Sequence, residues 1–142
     1  MKKSNDDQIK KTLRETGYRA TPGKVDILRV LLGANQHLTI TEISEGLKSN
    51  LNQTTLYRTI HSFVEKKLVR AINFNDSVVR YESMTGSHHH HVICTKCNHI
   101  ENVDICKTGL EDLALAKSRS FRIINDHAVE LFGTCNNCLK KD

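Results

Sequence analysis

The sequence predicts an α+β protein, in which a winged helix-turn-helix domain (residues 1–83) precedes a small α/β domain (residues 84–142) with a four-cysteine zinc site. Helical periodicity and a hairpin pattern occupy the first part of the chain, and all five cysteines lie in the second. Residues 1–83 contain 14 Lys and Arg against 9 Asp and Glu, whereas residues 84–142 contain 7 of each. Basic residues and metal-type ligands therefore lie in different parts of the chain, which favours two modules. The net positive charge of the first module suits it to bind a polyanion such as nucleic acid.

Two helices are expected at the start of the chain. The first begins near Asn5 and ends at Gly17, a residue suited to the left-handed conformation that follows many helices. The second has Thr21 as N-cap and Pro22 as its first residue, and it ends at Gly33. Apolar residues at helical spacing give the second helix a clear core face, made of Val25, Leu28, Leu31 and Leu32.

The next two helices have the pattern of a helix-turn-helix. Thr39 to Glu42 is a capping-box motif that opens a short helix, and a break at residues 49–50 follows it. The helix that follows from Asn52 directs its apolar residues inward, namely Leu56, Ile60, Phe63 and Val64. Its outer or flanking positions carry no carboxylate and consist of Gln53, Thr54, Tyr57, Arg58 and His61. Amide, hydroxyl and guanidinium groups are what a recognition helix presents to the major groove, although an ordinary amphipathic helix is the alternative.

A β-hairpin is expected directly after this helix. The apolar runs at residues 68–72 and 78–82 flank the turn-rich sequence Asn75-Asp76-Ser77. A hairpin in this position makes a winged helix, whose wing and basic residues would contact DNA phosphates and fix the register.

The cysteines are interpreted as metal ligands because of the compartment that the sequence indicates. No stretch has the length of a membrane span, and the N-terminal segment lacks the apolar core of a signal peptide, so a cytoplasmic location is expected. Thiols stay reduced there. Two C-x-x-C motifs supply four thiolates for a closed tetrahedral zinc site, which indicates a structural role: Cys94, Cys97, Cys135 and Cys138. Cys106 stands apart and is interpreted as a small buried residue rather than a redox sensor.

Four consecutive histidines precede the first C-x-x-C motif, in an apparent strand. Alternation along a strand sends His88 and His90 to one face and His89 and His91 to the other, so they are able to serve two metal sites. A solvated polar strand edge is the alternative. Further on, a capping box at Thr108 to Glu111 predicts a helix, and residues 121–124 and 128–132 are strand-like. The inner side of this helix is expected to carry Leu110, Leu113 and Ala114.

These motifs, in this order and spacing, resemble the ferric uptake regulator family along nearly the whole chain. The matching segments are GYRATP at 17–22, HLTITEI at 37–43, TLYRT at 55–59, RYE at 80–82, HHHHVICTKC at 88–97 and CNNC at 135–138. The resemblance implies a winged-helix domain joined by a short hinge to a dimerisation domain. It also implies a homodimer whose affinity for a palindromic operator in double-stranded DNA is controlled by metal.

The resemblance also implies roles for individual residues. Tyr57 and Arg58 match the recognition-helix pair, and Arg19 matches a basic position that approaches the minor groove. The regulatory metal site of the family is matched by His37, Glu82, His89 and His91. A second site in the dimerisation domain is matched by His88, His90, Glu111 and His127.

The sensed metal is not specified by these ligand types, since imidazole and carboxylate groups accept Fe, Mn, Co or Zn. Zinc-uptake members often lack a histidine matching His37, so the resemblance favours Fe²⁺ or Mn²⁺ over Zn²⁺ at the regulatory site. Asn102 falls near an Asp ligand of peroxide-sensing members, and Asp104 or Glu101 are candidate substitutes. Gly23-Lys24, where many members have Gln-Arg, and the additional Cys106 are departures that weaken assignment to a subfamily.

The sequence thus favours a metal-dependent DNA-binding repressor over two rival interpretations. A metal carrier or store would use the histidines as its cargo site and would bind DNA weakly, without sequence preference and with steep salt dependence. A metal hydrolase would need an open metal position and a general base. His61 and His99 are its candidate bases and have no evident carboxylate partner in the sequence, so no enzyme activity is expected.

Overall fold

The computed structural model describes residues 6–34, 36–74, 76–85, 89–105, 109–125, 127 and 129–141. The chain divides into an N-terminal unit, residues 1–87, and a C-terminal unit, residues 88–142. The N-terminal unit contains α1 (Asp6–Glu15), α2 (Pro22–Gly33), β1 (Leu38–Thr39), α3 (Ile40–Gly46), α4 (Gln53–Glu65), β2 (Val69–Asn73) and β3 (Val79–Ser83). The C-terminal unit contains β4 (His90–Cys94), β5 (Ile100–Val103), α5 (Leu110–Lys117), β6 (Glu130–Gly133) and α6 (Asn136–Leu139). Within these described ranges, no helix combines the length and apolar character needed to cross a membrane.

The core of the N-terminal unit is formed by the apolar faces of its four helices together with the start of β2. The predicted core faces are confirmed: Val25, Leu28 and Leu31 of α2 are buried, and so are Leu56, Ile60 and Phe63 of α4. Leu32 and Val64, at the edges of those faces, are half-buried. Ile9 and Leu13 of α1, Ile43 of α3 and Leu68 complete the buried cluster with Ile27 and Val69.

The ends of these helices are set by the residues that the sequence indicates. Thr39 accepts the N–H of Glu42 at 3.3 Å, and the Glu42 carboxylate accepts the N–H of Thr39 at 2.7 Å, so the predicted capping box is confirmed. Asn52 caps α4 by accepting the N–H of Thr55 at 2.8 Å. Thr21 is the N-cap of α2, with Pro22 as the first helical residue.

The predicted wing is confirmed as the β2–β3 hairpin. These strands pair antiparallel, with Ala71 opposite Tyr81, and β1 pairs with the other side of β3, with Leu38 opposite Tyr81. The sheet therefore has the order β1-β3-β2. Of the predicted turn, Asp76 and Ser77 are described, and residue 75 lies outside the described residues.

A buried carboxylate holds the turn between the two helices of the helix-turn-helix. Asp26 of α2 is 3% exposed and accepts the N–H of Lys48 at 2.8 Å and the N–H of Ser49 at 2.7 Å. The Ser49 hydroxyl donates to the same oxygen at 2.7 Å, and Arg29 donates to the other oxygen at 2.6 Å. Burial opposes ionisation of Asp26, but these hydrogen bonds outweigh it, so its pKa lies below the ordinary value.

Asp26→Ala is expected to lower the free energy of unfolding of the N-terminal unit by about 2–3 kcal/mol, because it leaves several partly buried donors without their charged acceptor. Denaturant unfolding at pH 7 measures this loss. A carboxyl with a depressed pKa stabilises above its unfolded pKa of about 3.9, and that contribution disappears as pH falls through the folded value. The wild-type advantage should therefore shrink below about pH 4. The exposed Glu45→Ala is the control, and an equal effect of both variants at pH 7 would contradict this role.

The C-terminal unit is built on a three-stranded sheet with the order β5-β4-β6. β4 pairs antiparallel with β5 and parallel with β6, which places Ile93 between Ile100 and Phe132. β5 was not anticipated from the sequence, since its four residues IENV combine two apolar and two polar positions without a longer apolar run. The strand expected at 128–132 corresponds to β6, and residue 128 lies outside the described residues.

Two expectations about the C-terminal unit are wrong. Residues 121–124 form no strand, because none of the described strands pairs with them, and Phe121 and Ile123 are 68% and 70% exposed. The expected inner side of α5 is not covered either, since Leu113 is 59% exposed and no residue of α5 is buried. The capping box proposed for α5 needs Thr108, which lies outside the described residues, and the N-cap residue is Gly109 with φ +101°.

Candidate metal centres and nucleic-acid interface

The four cysteines of the two C-x-x-C motifs come together in the C-terminal unit. Cys94 ends β4, and Cys97 lies in the turn between β4 and β5. Cys135 is the N-cap of the short helix α6, and Cys138 lies within that helix. Their four sulfurs all lie within 4.8 Å of one another, and the Sγ atoms of Cys97 and Cys135 are 3.6 Å apart. The parallel pairing of β4 with β6 produces this cluster, because it brings Gly133 opposite Cys94.

The thiols of this cluster do not ionise alike. The N–H of Cys135 donates to the sulfur of Cys94 at 3.4 Å, and this bond is the largest cause of a Cys94 pKa lowered to about 6. The pKa of Cys138 is raised to about 12, first by its hydrogen bond with the Cys97 thiol and then by that with Cys135. The Cys94 thiol therefore ionises more readily than the Cys138 thiol, because adjacent sulfurs disfavour a second negative charge.

The cluster fits a zinc ion. A zinc ion bound tetrahedrally to four thiolates at about 2.3 Å holds the sulfurs about 3.8 Å apart, close to the Cys97–Cys135 distance of 3.6 Å. Four sulfur ligands fill a tetrahedral site and leave no position for a substrate. The chemistry of this centre is therefore structural.

A second pair of metal-type ligands lies in the N-terminal unit. His37 Nε2 is 3.1 Å from an Oε atom of Glu82, and the two side chains are 2% and 12% exposed. The pairing of β1 with β3 places them together, since His37 directly precedes β1 and Glu82 lies on β3. Ligands bound to one ion at about 2.1 Å in neighbouring coordination positions are about 3.0–3.4 Å apart, so this spacing fits two ligands of one metal.

The histidine run of the C-terminal unit alternates as expected along β4. The rings of His89 and His91 lie next to each other, with centroids 5.3 Å apart, and His91 is 4% exposed. His90 is buried at 2% exposure, and its ring centroid lies 5.2 Å from that of His127. Neighbouring histidines therefore belong to different groups of ligands.

Three of the four residues expected at the second site lie together. His127 Nδ1 is 2.6 Å from Oε1 of Glu111, and the ring of His127 neighbours that of His90. Nδ1 of His90 accepts the N–H of Val129 at 3.2 Å, which orients the ring. The fourth residue, His88, lies outside the described residues, as does Cys106.

The exposed face of α4 carries the residues expected to read DNA. Gln53, Thr54, Tyr57 and Arg58 are all exposed, with Tyr57 at 50%. Arg19, on the segment between α1 and α2, is exposed as well. The wing contributes less positive charge than its sequence suggests, because both oxygens of Asp76 accept hydrogen bonds from the guanidinium of Arg80, at 3.0 and 2.6 Å.

Some contacts around these residues were not anticipated from the sequence. Phe74 packs edge-to-face on His37, with centroids 5.5 Å apart, and the guanidinium carbon of Arg80 lies 5.6 Å from the centroid of the Phe74 ring. Tyr18 contacts Ser62 and Phe63 of α4. The contacts of His37 with Phe74 and of Tyr18 with Ser62 and Phe63 join residues more than 35 positions apart, so no local motif predicts them.

Comparison with known proteins finds relatives along most of the chain. The model of the ferric uptake regulator family matches residues 15–132. The peroxide operon regulator of Bacillus subtilis (strain 168) is 33% identical over 135 residues, which cover 92% of this chain and 91% of that protein. The ferric uptake regulation protein of the same strain is 31% identical over 144 residues, which cover 96% and 95%. The structure of the ferric uptake regulator from Francisella tularensis with iron superposes with a TM-score of 0.68 at 27% identity, covering 87% of this chain and 96% of that one.

Proposed function

Since this chain belongs to the ferric uptake regulator family, whose members are metal-responsive transcriptional regulators and not enzymes, we propose that it represses transcription by binding a palindromic operator as a metal-loaded homodimer. One observation carries the proposal. A single unit holds both an exposed recognition helix, α4, and the buried pair His37 and Glu82, whose atoms are 3.1 Å apart. A ligand pair and a DNA-reading surface in one folded unit are what a metal-dependent DNA-binding protein requires.

The regulatory metal is proposed to bind His37 and Glu82 of the N-terminal unit together with His89 and His91 of the C-terminal unit. Imidazole and carboxylate donors suit Fe²⁺, Mn²⁺ or Zn²⁺, and we favour Fe²⁺ or Mn²⁺ because His37 is retained. One metal ion bound by ligands from both units would hold each N-terminal unit in place, and this would fix the separation of the two recognition helices of a dimer. In metal-free protein the separation of the recognition helices would vary. A coupling free energy of about 1–3 kcal/mol between metal binding and DNA binding corresponds to a change in operator affinity of roughly 5- to 150-fold.

The remaining metal ligands are proposed to serve the C-terminal unit alone. Zinc at the four cysteines would staple β4 to α6, which matters in a unit of 55 residues with few buried apolar side chains. His90, Glu111 and His127, together with His88, are the proposed second site. The contact between His127 and Glu111 supports it, because a carboxylate beside an imidazole is a common arrangement around protein metals.

The homodimer is supported by apolar surface that this chain leaves uncovered. Among the described residues of the C-terminal unit, eight large apolar side chains are at least 40% exposed, namely Ile105, Leu110, Leu113, Phe121, Ile123, Leu131, Phe132 and Leu139. A patch of this kind marks an interaction surface. A second copy of the chain is the proposed occupant, because a two-fold dimer matches a palindromic operator. The cytoplasm is the proposed location, as for a protein that binds chromosomal DNA.

Peroxide sensing is the second candidate function, and the similarity to the peroxide operon regulator favours it. The residue opposite His91 on β5 is Asn102, which supplies an amide where this function calls for a carboxylate. Glu101 and Asp104 are the neighbouring carboxylates. A peroxide sensor should lose operator binding in hydrogen peroxide when loaded with redox-active Fe²⁺ but keep it with Mn²⁺. A sensor of metal alone should keep binding with both.

Selection from random duplex DNA tests the proposed function directly. The purified protein is incubated with Mn²⁺, with Zn²⁺ or with a chelator mild enough to spare the zinc at the four cysteines, and the bound DNA is sequenced. We expect one inverted repeat to be enriched only when metal is present. The absence of any enriched sequence would overturn the proposal and leave a metal carrier, with DNA binding that is weak and steeply salt-dependent.

A further inference from the structure

Tyr18 joins the end of α1 to the recognition helix α4. Its hydroxyl donates to the backbone oxygen of Ser62 at 2.6 Å and lies 2.7 Å from the Ser62 hydroxyl. Its ring packs edge-to-face on the fully buried Phe63, with centroids 5.3 Å apart. The side chain of Tyr18 is therefore anchored on α4 by a hydrogen bond and by an aromatic contact.

The backbone of Tyr18 is anchored on α1. Its N–H donates to the backbone oxygen of Leu13 at 2.8 Å, and the N–H of Gly17 donates to that of Arg14 at 3.0 Å. Gly17 has φ +85°, the left-handed conformation that closes a helix in this way and that favours glycine. Tyr18 thus bridges two helices, with its backbone on one and its hydroxyl on the other.

Arg19 follows this bridge directly. Its side chain is exposed, and its backbone oxygen accepts the N–H of Thr21 at 2.9 Å in the tight turn that leads into α2. The segment that presents Arg19 is therefore held on one side by Tyr18 and on the other by α2. Since both anchors belong to the same core as α4, the backbone of Arg19 has a fixed place relative to Tyr57 and Arg58.

We infer that Tyr18 is a positioning residue, which holds Arg19 and the exposed face of α4 as one DNA-contacting surface. The inference rests on the proposed function, because it needs duplex DNA as the ligand. Anchoring the segment in advance removes the entropy that would otherwise be lost when Arg19 is ordered on the duplex. Tyr18 would contribute to operator affinity through Arg19, without touching DNA itself.

A double-mutant cycle with Tyr18→Phe and Arg19→Ala tests this inference. Tyr18→Phe removes the hydroxyl and keeps the ring on Phe63, so the protein should remain folded. We expect it to lower operator affinity about 3- to 10-fold, which is less than the full cost of ordering the backbone of one residue because the Tyr18 ring keeps its contact, and to have no further effect when Arg19 is already alanine. The slope of log operator-binding constant against log salt concentration should become shallower by about 1 in Arg19→Ala. In Tyr18→Phe the slope should change in the same direction, by up to the same amount.

Two control variants separate positioning from general destabilisation. Ser62→Ala keeps the backbone oxygen that accepts the Tyr18 hydroxyl and should bind operator like wild type. Ile27→Val, in the core of α2, should lower Tm while leaving both affinity and salt slope unchanged. Additive effects of Tyr18→Phe and Arg19→Ala, in a protein that binds its operator, would overturn the inference alone. Wild-type protein that selects no operator would overturn the proposed function as well.

Discussion

Cys97→Ser should release zinc and unfold the C-terminal unit. Structural zinc contributes on the order of 10 kcal/mol to folding, which is comparable to the whole stability of a small domain. The structure gives this unit little else to rely on, since Ile93 and Cys94 are its buried apolar residues among those described. Zinc content per chain, circular dichroism and light scattering should together show loss of zinc, loss of the cooperative transition and loss of the dimer.

Cys106→Ser is the matched control for this prediction, because Cys106 belongs to neither of the two C-x-x-C motifs. It should retain one zinc ion per chain and the wild-type melting curve. If Cys97→Ser kept its zinc and its transition, the cluster would not be the structural centre assigned to it. The N-terminal unit has its own core and should keep its helical signal in Cys97→Ser.

Glu82→Ala should abolish the response of DNA binding to metal. The variant removes one ligand of the proposed regulatory site, so the roughly 5- to 150-fold gain in operator affinity on adding Mn²⁺ should collapse toward 1. Reciprocity requires the converse, namely that operator DNA tightens Mn²⁺ binding in wild type by the same factor and does not in the variant. Fluorescence anisotropy with labelled operator, with and without Mn²⁺, measures the first effect, and calorimetry measures the second.

The control for Glu82→Ala is Glu15→Ala, which removes an exposed carboxylate of α1 that pairs with the exposed Lys11 at 3.8 Å. It should keep the full response to Mn²⁺. An unchanged response in Glu82→Ala would show that Glu82 is not a ligand of the regulatory metal. Metal-independent affinity should be similar in the two variants, because neither residue lies on the exposed face of α4.

Much of this fold is predictable because its determinants are local. The capping box of Thr39 and Glu42 predicts the start of α3. The spacing of Leu56, Ile60 and Phe63 predicts the buried face of α4. The C-x-x-C motifs are equally local, and thiolate chemistry alone indicates that they share a metal. Each of these features requires only residues within one or two helical turns, or one ligand type with one preferred geometry.

The features that escaped prediction depend on partners distant in sequence. Residues 121–124 have a strand-like sequence, yet a strand needs a neighbour, and none of the described strands pairs with them. The contact between Tyr18 and Ser62 spans 44 residues and follows from the packing of α1 against the helical core. The exposed face of α5 escaped for the same reason, since periodicity identifies an apolar face but not the surface that covers it.

The parallel pairing of β4 with β6 also determines the order in which the chain folds. Cys97 and Cys135 are 38 residues apart, so β4 emerges from the ribosome well before the strand and the ligands that complete its sheet. The N-terminal unit is made first, and many of its contacts join elements close in sequence, such as α1 with α2 and β2 with β3, which form quickly. A nascent chain is therefore expected to fold α4 before β4 and β6 are able to pair in the C-terminal unit. During that interval the apolar side of β4 is uncovered, which makes the supply of zinc to nascent chains a determinant of how many escape aggregation.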